Sequence, residues 1–300
     1  MLPLREASGG EWALELDPPV ALPGRPVVAR VRYVPEADHE ARRVRAVLQA
    51  VETYQYRRNE SNGKTSRTVT RTGHEEVARL EATLAGPTAF RRGEEVAWEV
   101  TFDVPPLGPA TFEGSDVLRC DWTLEVSCDV PWRGDHRLVA PVRVAQPMAL
   151  LRAGVVATGQ YGLFEDVPVN VDAYPAQIRI DPVPLSVAHP FSGELRIETA
   201  EPIEVQEVRL ELRVHTRCTD RRGLEDELLV ASGRLETQTG TFGGLFASHP
   251  FTADAPGAWT PSVDLLHGSA RARFHVILAL AWRPDIHYVR DVALASTTDL

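Results

Sequence analysis

The sequence predicts an all-β protein made of two tandem antiparallel β-sandwiches. Three observations carry that expectation: a hydrophobic period of two along the chain, an excess of proline, and a self-similarity at an offset of 150 residues. A period of two sends alternate side chains to opposite faces of a strand, whereas a helix would scatter them around its circumference. One dry face and one wet face on many strands is what antiparallel layers require. The chain holds 23 prolines, against roughly 15 at ~5% usage, which favours short strands and turns over long helices.

In chain order, Val44, Ala46, Leu48 and Ala50 run on to Tyr54 and Tyr56 as the first clear strand. Glu36 to Ala50 can be drawn as a helix, but the alternation downstream argues against it. Val96, Trp98, Val100, Phe102 and Val104 mark the next strand. The strongest signal is Leu118, Cys120, Trp122, Leu124, Val126, Cys128, Val130 and Trp132, with Arg119, Asp121, Thr123, Glu125, Ser127 and Asp129 between them. Met148 to Ala157 has room for a helical turn or two. In the second half, Val208, Leu210, Leu212 and Val214 alternate with Glu207, Arg209, Glu211 and Arg213. The glycine-rich Gly240 to Gly244 lacks the lysine and following helix of a phosphate loop and reads as a plain loop.

The offset appears at Trp132-Arg133-Gly134-Asp135, which meets Trp282-Arg283-Pro284-Asp285. In the same register Leu124 falls on Phe274, Val126 on Val276 and Val142 on Val292. A chain of 300 residues, at ~100–200 residues per domain, fits two domains. The expected boundary lies near Ala145-Gln146-Pro147, giving domains 1–147 and 148–300. Residues 148–180 have no counterpart in the first half and are expected to be an insertion.

Composition narrows the function classes. Hydrophobic residues make up 43% and charged residues 25%, enough apolar material for substantial cores. The net charge of −10 argues against nucleic acid as a partner. Lys64 is the only lysine among 32 basic residues, which reads as the base composition of a GC-rich, bacterial genome. Met1 to Asp17 has no apolar core of a secretory signal, and the apolar run Phe274 to Trp282 is far short of the ~20 residues that span a bilayer. Cys120 and Cys128 on one strand would stand about 26 Å apart, too far to bridge. A cytoplasmic location is expected.

No Gly-x-Ser-x-Gly, His-Glu-x-x-His, Gly-x-x-x-x-Gly-Lys or dinucleotide fingerprint occurs. The nine histidines show no zinc-ligand spacing. No catalytic residue, cofactor or metal site is expected. The segment Arg57 to His74 is the candidate binding surface: Arg57, Arg58, Lys64, Arg67 and Arg71 stand against the single acid Glu60, in a chain that is acidic overall. Arginines spaced along a hairpin with an Asn62-Gly63 tip can clamp phosphate or acidic headgroups by bidentate hydrogen bonds. The alternative is a solvated hairpin whose charges discourage edge pairing.

Phe102-Asp-Val-Pro-Pro-Leu-Gly-Pro-Ala-Thr-Phe112-Glu113-Gly114 resembles the arrestin fold family. So does the order downstream: Val117-Leu118-Arg119-Cys120, then Pro131-Trp132, then Pro141-Val142-Arg143-Val144. The likeness is nearest to arrestin-domain-containing proteins (alpha-arrestins), and Val51 to Arg58 with His74 to Val77 is similar to their finger-region hairpin. The resemblance implies two arrestin-like, immunoglobulin-like sandwiches, with Phe112 and Trp132 as core plugs and Gly114 in a backbone conformation closed to other residues. No Pro-Pro-x-Tyr motif is present, and with the sequence stopping at Leu300 the long tail of many eukaryotic relatives is expected to be missing. The function implied is a non-enzymatic adaptor or scaffold. Its partners would be other proteins, phosphorylated ones included, and its basic hairpin would allow peripheral contact with anionic membrane. The alternatives are a bacterial sporulation- or stress-control regulator of the same fold, and a β-sandwich hydrolase using carboxylates remote in sequence.

Overall fold

The computed structural model describes residues 5–61, 66–132, 134–146, 162–163, 176–181, 184–199, 201–219, 224–235, 239–242, 244 and 247–296. Every regular element among them is a strand, and no helix occurs. The protein is all-β with several sheets, consistent with the β-sandwich class. Most of the expected insertion, and the helical turn drawn at Met148 to Ala157, lie outside the described residues. The chain divides into two compact units: residues 1–53, 73–111 and 120–145 form one, and residues 54–72, 112–119 and 146–300 the other.

The first eleven strands are β1 (Arg5–Ala7), β2 (Gly10–Asp17), β3 (Val20–Ala21), β4 (Pro26–Pro35), β5 (His39–Ala41), β6 (Arg43–Ser61), β7 (Ser66–Ala85), β8 (Thr88–Phe90), β9 (Val96–Asp103), β10 (Leu118–Asp129) and β11 (His136–Val144). They form a four-stranded sheet in the order β1-β2-β4-β9, a five-stranded sheet in the order β3-β11-β10-β6-β7, and the pair β5-β8. The period of two is realised side chain by side chain. Val27, Ala29, Val31 and Tyr33 of β4 are buried, as are Val44, Ala46, Leu48 and Ala50 of β6 and Cys120, Trp122, Leu124, Val126 and Cys128 of β10. Each large apolar side chain removed from water in this way contributes about 1.5–3 kcal/mol. The indoles of Trp12 and Trp122 are buried with their N–H groups satisfied, donating to the carbonyls of Ser8 (3.2 Å) and Pro109 (2.8 Å).

The remaining strands are β12 (Gly162–Leu163), β13 (Ala176–Asp181), β14 (Leu185–Ser186), β15 (Phe191–Ile197), β16 (Ile203–Val205), β17 (Glu207–Cys218), β18 (Glu225–Leu235), β19 (Gly240–Phe242), β20 (Ser248–Ala253), β21 (Val263–Asp264), β22 (Gly268–Ala279), β23 (Ile286–Val292) and β24 (Leu294–Ala295). A nine-stranded sheet runs β12-β13-β15-β20-β18-β17-β22-β21, with β23 also paired to β22. The core of the second unit is lined by Val208, Leu210, Leu212 and Val214 of β17 and by Phe274, Val276 and Leu278 of β22. Phe251 stacks on Phe274 at 5.4 Å. Gly240 to Phe242, read from sequence as loop, is the short strand β19, paired with β16.

The 150-residue correspondence extends to geometry. The bounds of β22 are those of β10 displaced by 150 residues at both ends, and β23 begins 150 residues after β11. In each unit a hydroxyl residue brackets the closing strand. Thr111 N–H donates to the Val144 carbonyl (2.9 Å) while the Val144 N–H donates to Thr111 Oγ1 (2.9 Å). Ser262 N–H donates to the Leu294 carbonyl (2.8 Å) while the Leu294 N–H donates to Ser262 Oγ (3.3 Å). Each closing segment also pairs in parallel with a two-residue strand, β11 with β3 and β24 with β14.

Two expectations about core residues are corrected. Phe112 is fully buried, but Trp132 is 98% exposed and Trp282 103% exposed. Both take a left-handed backbone, with φ of 63° and 60°. Each lies in the turn between two antiparallel strands, β10 to β11 and β22 to β23, where the alternation has ended and the chain reverses. Period-two reading carried Trp132 onto the dry face by extending β10 three residues too far. Gly114 is not at positive φ. Its constraint is close approach, because the γ-methyl of the fully buried Thr260 fills the space a Cβ would need.

Candidate functional site

Strands β6 and β7 are neighbours in the sheet, and their distal portions, residues 54–72, belong to the second unit. At the base of this hairpin segment the Tyr54 ring stacks on His267 at 3.7 Å and 15°. The Gln55 N–H donates to the Val117 carbonyl at 2.9 Å. Further out, Thr68 Oγ1 donates to Asn59 Oδ1 at 2.8 Å. The segment is therefore fixed at its root by an aromatic stack and a backbone bond, and its outer part is joined across the two strands.

Four of the five expected cations fall among the described residues; Lys64 and the Asn62-Gly63 tip lie outside them. The four do not share one environment. Glu60 accepts from Arg71 through Nε (3.1 Å) and through Nη2, and Arg67 Nη2 lies 3.5 Å from its other oxygen. The hydrogen bond from Arg71 holds the Glu60 carboxyl below its ordinary range, and the same bond raises the Arg71 guanidinium. Arg57 and Arg58 are exposed and make no ion pair among the described residues. Strand alternation puts Arg58 on the face of Tyr54, Tyr56 and Glu60, and Arg57 on the opposite face. The four described cations thus do not all face one ligand.

Sequence counting registered Glu60 only as the one acid of the segment. Its role as the junction of two arginines depends on the pairing of β6 with β7, which charge counting does not specify. Tyr54 as an anchor was likewise missed, since its partner His267 lies more than two hundred residues away.

Other candidate groups are engaged or buried elsewhere in the two units. Asp226 and Glu227, adjacent carboxylates on β18, serve different partners: Asp226 accepts from Ser115 Oγ (3.0 Å), and Glu227 accepts from Arg213 Nη1 (2.7 Å). His275 Nε2 lies 3.5 Å from Glu227, and burial pushes this imidazole below its ordinary value. Burial raises the Cys120 thiol and pushes the Cys128 thiol up to about 12, so both are poor nucleophiles. Among the described residues no group of three or more His, Cys, Asp or Glu side chains is placed to hold a metal ion, and no helix is long and apolar enough to cross a membrane.

No protein-family model matches the chain, and no curated protein matches it either.

Proposed function

We propose that this chain is an adaptor: two tandem arrestin-like sandwiches that bind partner proteins through their loops and the 54–72 hairpin. The fully buried Phe112, the close packing of Gly114 on Thr260 and the matched hydroxyl brackets at Thr111 and Ser262 support the arrestin-like part of this reading. The observation that carries the binding role is the pair Arg57 and Arg58, exposed and without ion pairs among the described residues, on a segment fixed at its root by Tyr54 and Gln55. Two adjacent arginines on an extended segment present charge on both faces at once, which suits an extended acidic or phosphorylated stretch of a partner. On this reading the protein works in the cytoplasm without a cofactor and performs no reaction of its own.

Quantitative affinity capture from cell extract tests it, comparing the wild type with R57E/R58E. A defined set of proteins should be lost from the variant while its thermal stability stays unchanged. An identical captured set from both forms overturns the hairpin as the binding element.

A further inference from the structure

At one end of the first unit two histidines meet that the adaptor reading does not use. His39 opens β5 and His136 opens β11, and their ring centres lie 4.6 Å apart with the planes inclined by 68°. His39 stacks on Phe90 at 4.9 Å and 25°. The His136 ring rests on Gly9, whose backbone has φ of 82°, and a β-carbon at that position would stand 2.1 Å from the imidazole. Both rings are held by packing, and both residues are only partly buried.

The hydrogen bonds fix which ring nitrogens carry protons. His39 Nδ1 lies 3.0 Å from the Ala37 carbonyl, which can only accept, so Nδ1 is the protonated nitrogen and Nε2 of the neutral ring holds the lone pair. That Nε2 is buried and has no hydrogen-bond partner among the described residues. Tyr33 donates its one hydroxyl proton to the Gly9 carbonyl (2.9 Å). His136 Nδ1, 2.9 Å from the same tyrosine oxygen, is therefore the donor of that contact, and its Nε2 also presents a lone pair. Each histidine gives Nδ1–H to a protein oxygen and presents Nε2 as a base, the arrangement that metal-ligating histidines adopt.

We propose that His39 and His136 form a two-imidazole site for a borderline divalent transition-metal ion, Zn(II), Ni(II) or Cu(II), the ions that suit imidazole ligands. The ring separation favours a metal over a bridging water. An imidazole nitrogen stands about 1.1 Å from its ring centre, and a bound metal a further ~2.0–2.1 Å away. With both nitrogens aimed at one ion, 4.6 Å between the centres corresponds to a nitrogen–metal–nitrogen angle of about 90–100°, ordinary for neighbouring ligands. A water at hydrogen-bond distance would need an angle of about 70°, too acute for its two O–H bonds. The two imidazoles supply two ligands and water the rest, since no group of three or more His, Cys, Asp or Glu side chains forms a closed cage among the described residues. The ion joins the β5–β8 pair to the five-stranded sheet through the first residues of β5 and β11. The site plays no part in the adaptor reading, and either can fail alone.

The test titrates the full chain, stripped of metal by a chelator, with Zn(II) in a calorimeter, beside His39→Phe, His136→Gln and Tyr33→Phe. His39→Phe keeps a ring against Phe90 and removes both nitrogens. Wild type should take up one ion per chain above the background of its other histidines, and His39→Phe and His136→Gln should each lose that ion. Tyr33→Phe removes the oxygen that orients His136 and should weaken the ion about tenfold, the scale of a lost outer partner. Cu(II) should bind more tightly than Ni(II) or Zn(II). Because a variant can lose the ion by failing to fold, long-range proton–nitrogen spectra of the wild-type imidazoles give an independent reading. At pH 8 they should show the proton of His39 on Nδ1, and Zn(II) should shift the Nε2 resonances of His39 and His136 together. The proposal is overturned if wild type binds Zn(II) no better than the two histidine variants, if His39 carries its proton on Nε2, or if Zn(II) leaves the two Nε2 resonances in place.

Discussion

The γ-methyl of Thr260 occupies the space that a β-carbon on residue 114 would need, and the Phe112 ring edge lies 3.5 Å from the same point. Thr260 is fully buried, and its hydroxyl donates to the Ala258 carbonyl. Neither neighbour has room to retreat. Gly114→Ala should therefore destabilise the protein by about 1–3 kcal/mol through overpacking. Thr260→Ser removes the offending methyl and keeps the hydroxyl, so G114A/T260S should recover most of the loss. Urea denaturation of the four forms gives the coupling directly, and additive effects would mean the two residues do not compete for this space.

The hydroxyl brackets predict a paired result. Thr111→Val leaves the Val144 N–H without its acceptor in a buried setting, and Ser262→Ala does the same to the Leu294 N–H. Each should cost about 1–3 kcal/mol, the penalty of an orphaned buried donor. The Thr111 bond is the shorter, so its loss should be the larger. Denaturation midpoints that match wild type in both variants would show that the brackets are incidental.

Trp132 and Trp282 make the opposite prediction. Their rings contribute no burial, and a bulky residue in the left-handed region carries a cost of roughly 1–2 kcal/mol that Asn escapes in part. Trp132→Asn and Trp282→Asn should leave the melting temperature unchanged or raise it. A drop comparable to a core truncation, about 3–5 kcal/mol, would restore Trp132 to the plug role its sequence context suggests.

Acid should weaken the second unit. Burial holds His249 and His275 below their ordinary values; for His275, Glu227 pulls the other way while Arg213 reinforces the depression. In the unfolded chain both would protonate near pH ~6.5. The unfolded state therefore binds more protons just below that pH, so the contribution is complete above ~6.5 and is lost as pH falls through the lower folded values. Denaturation midpoints between pH 7 and 5 should decline for wild type and decline less for H249Q/H275Q. Equal slopes in the two proteins would assign the acid sensitivity to other groups.

Much of the strand layout was readable because alternation is a local property. Val96 to Val104 overruns β9 by one residue, Val208 to Val214 lies inside β17, and the alternation from Leu118 starts with the first residue of β10 but runs three residues past its end at Asp129. Where alternation stopped, reading failed. Trp132 continues the parity of β10 but sits past its end, and nothing in a hydrophobic pattern reports that the chain has turned. The constraint on Gly114 was legible as a constraint and not as its cause, since Thr260 is remote in sequence. Of the candidate site, the sign of the charge was visible. The division of the arginines into a pair without ion pairs among the described residues and a pair held by Glu60 arises from cross-strand pairing, which a charge count does not encode.

The parallel pairing of β3 with β11 and of β14 with β24 has a mechanical side. Ala145 N–H reaches the Ala21 carbonyl at 2.9 Å, and the N–H groups of Leu185 and Val187 reach the carbonyls of Ala293 and Ala295 at 2.9 and 3.0 Å. Tension that draws a short strand one way and its closing partner the other loads such bonds side by side, in shear. A hairpin pulled at its open end would instead unzip one rung at a time. Under stretch, a two-residue strand can hold more than its length suggests, because its rungs must fail together.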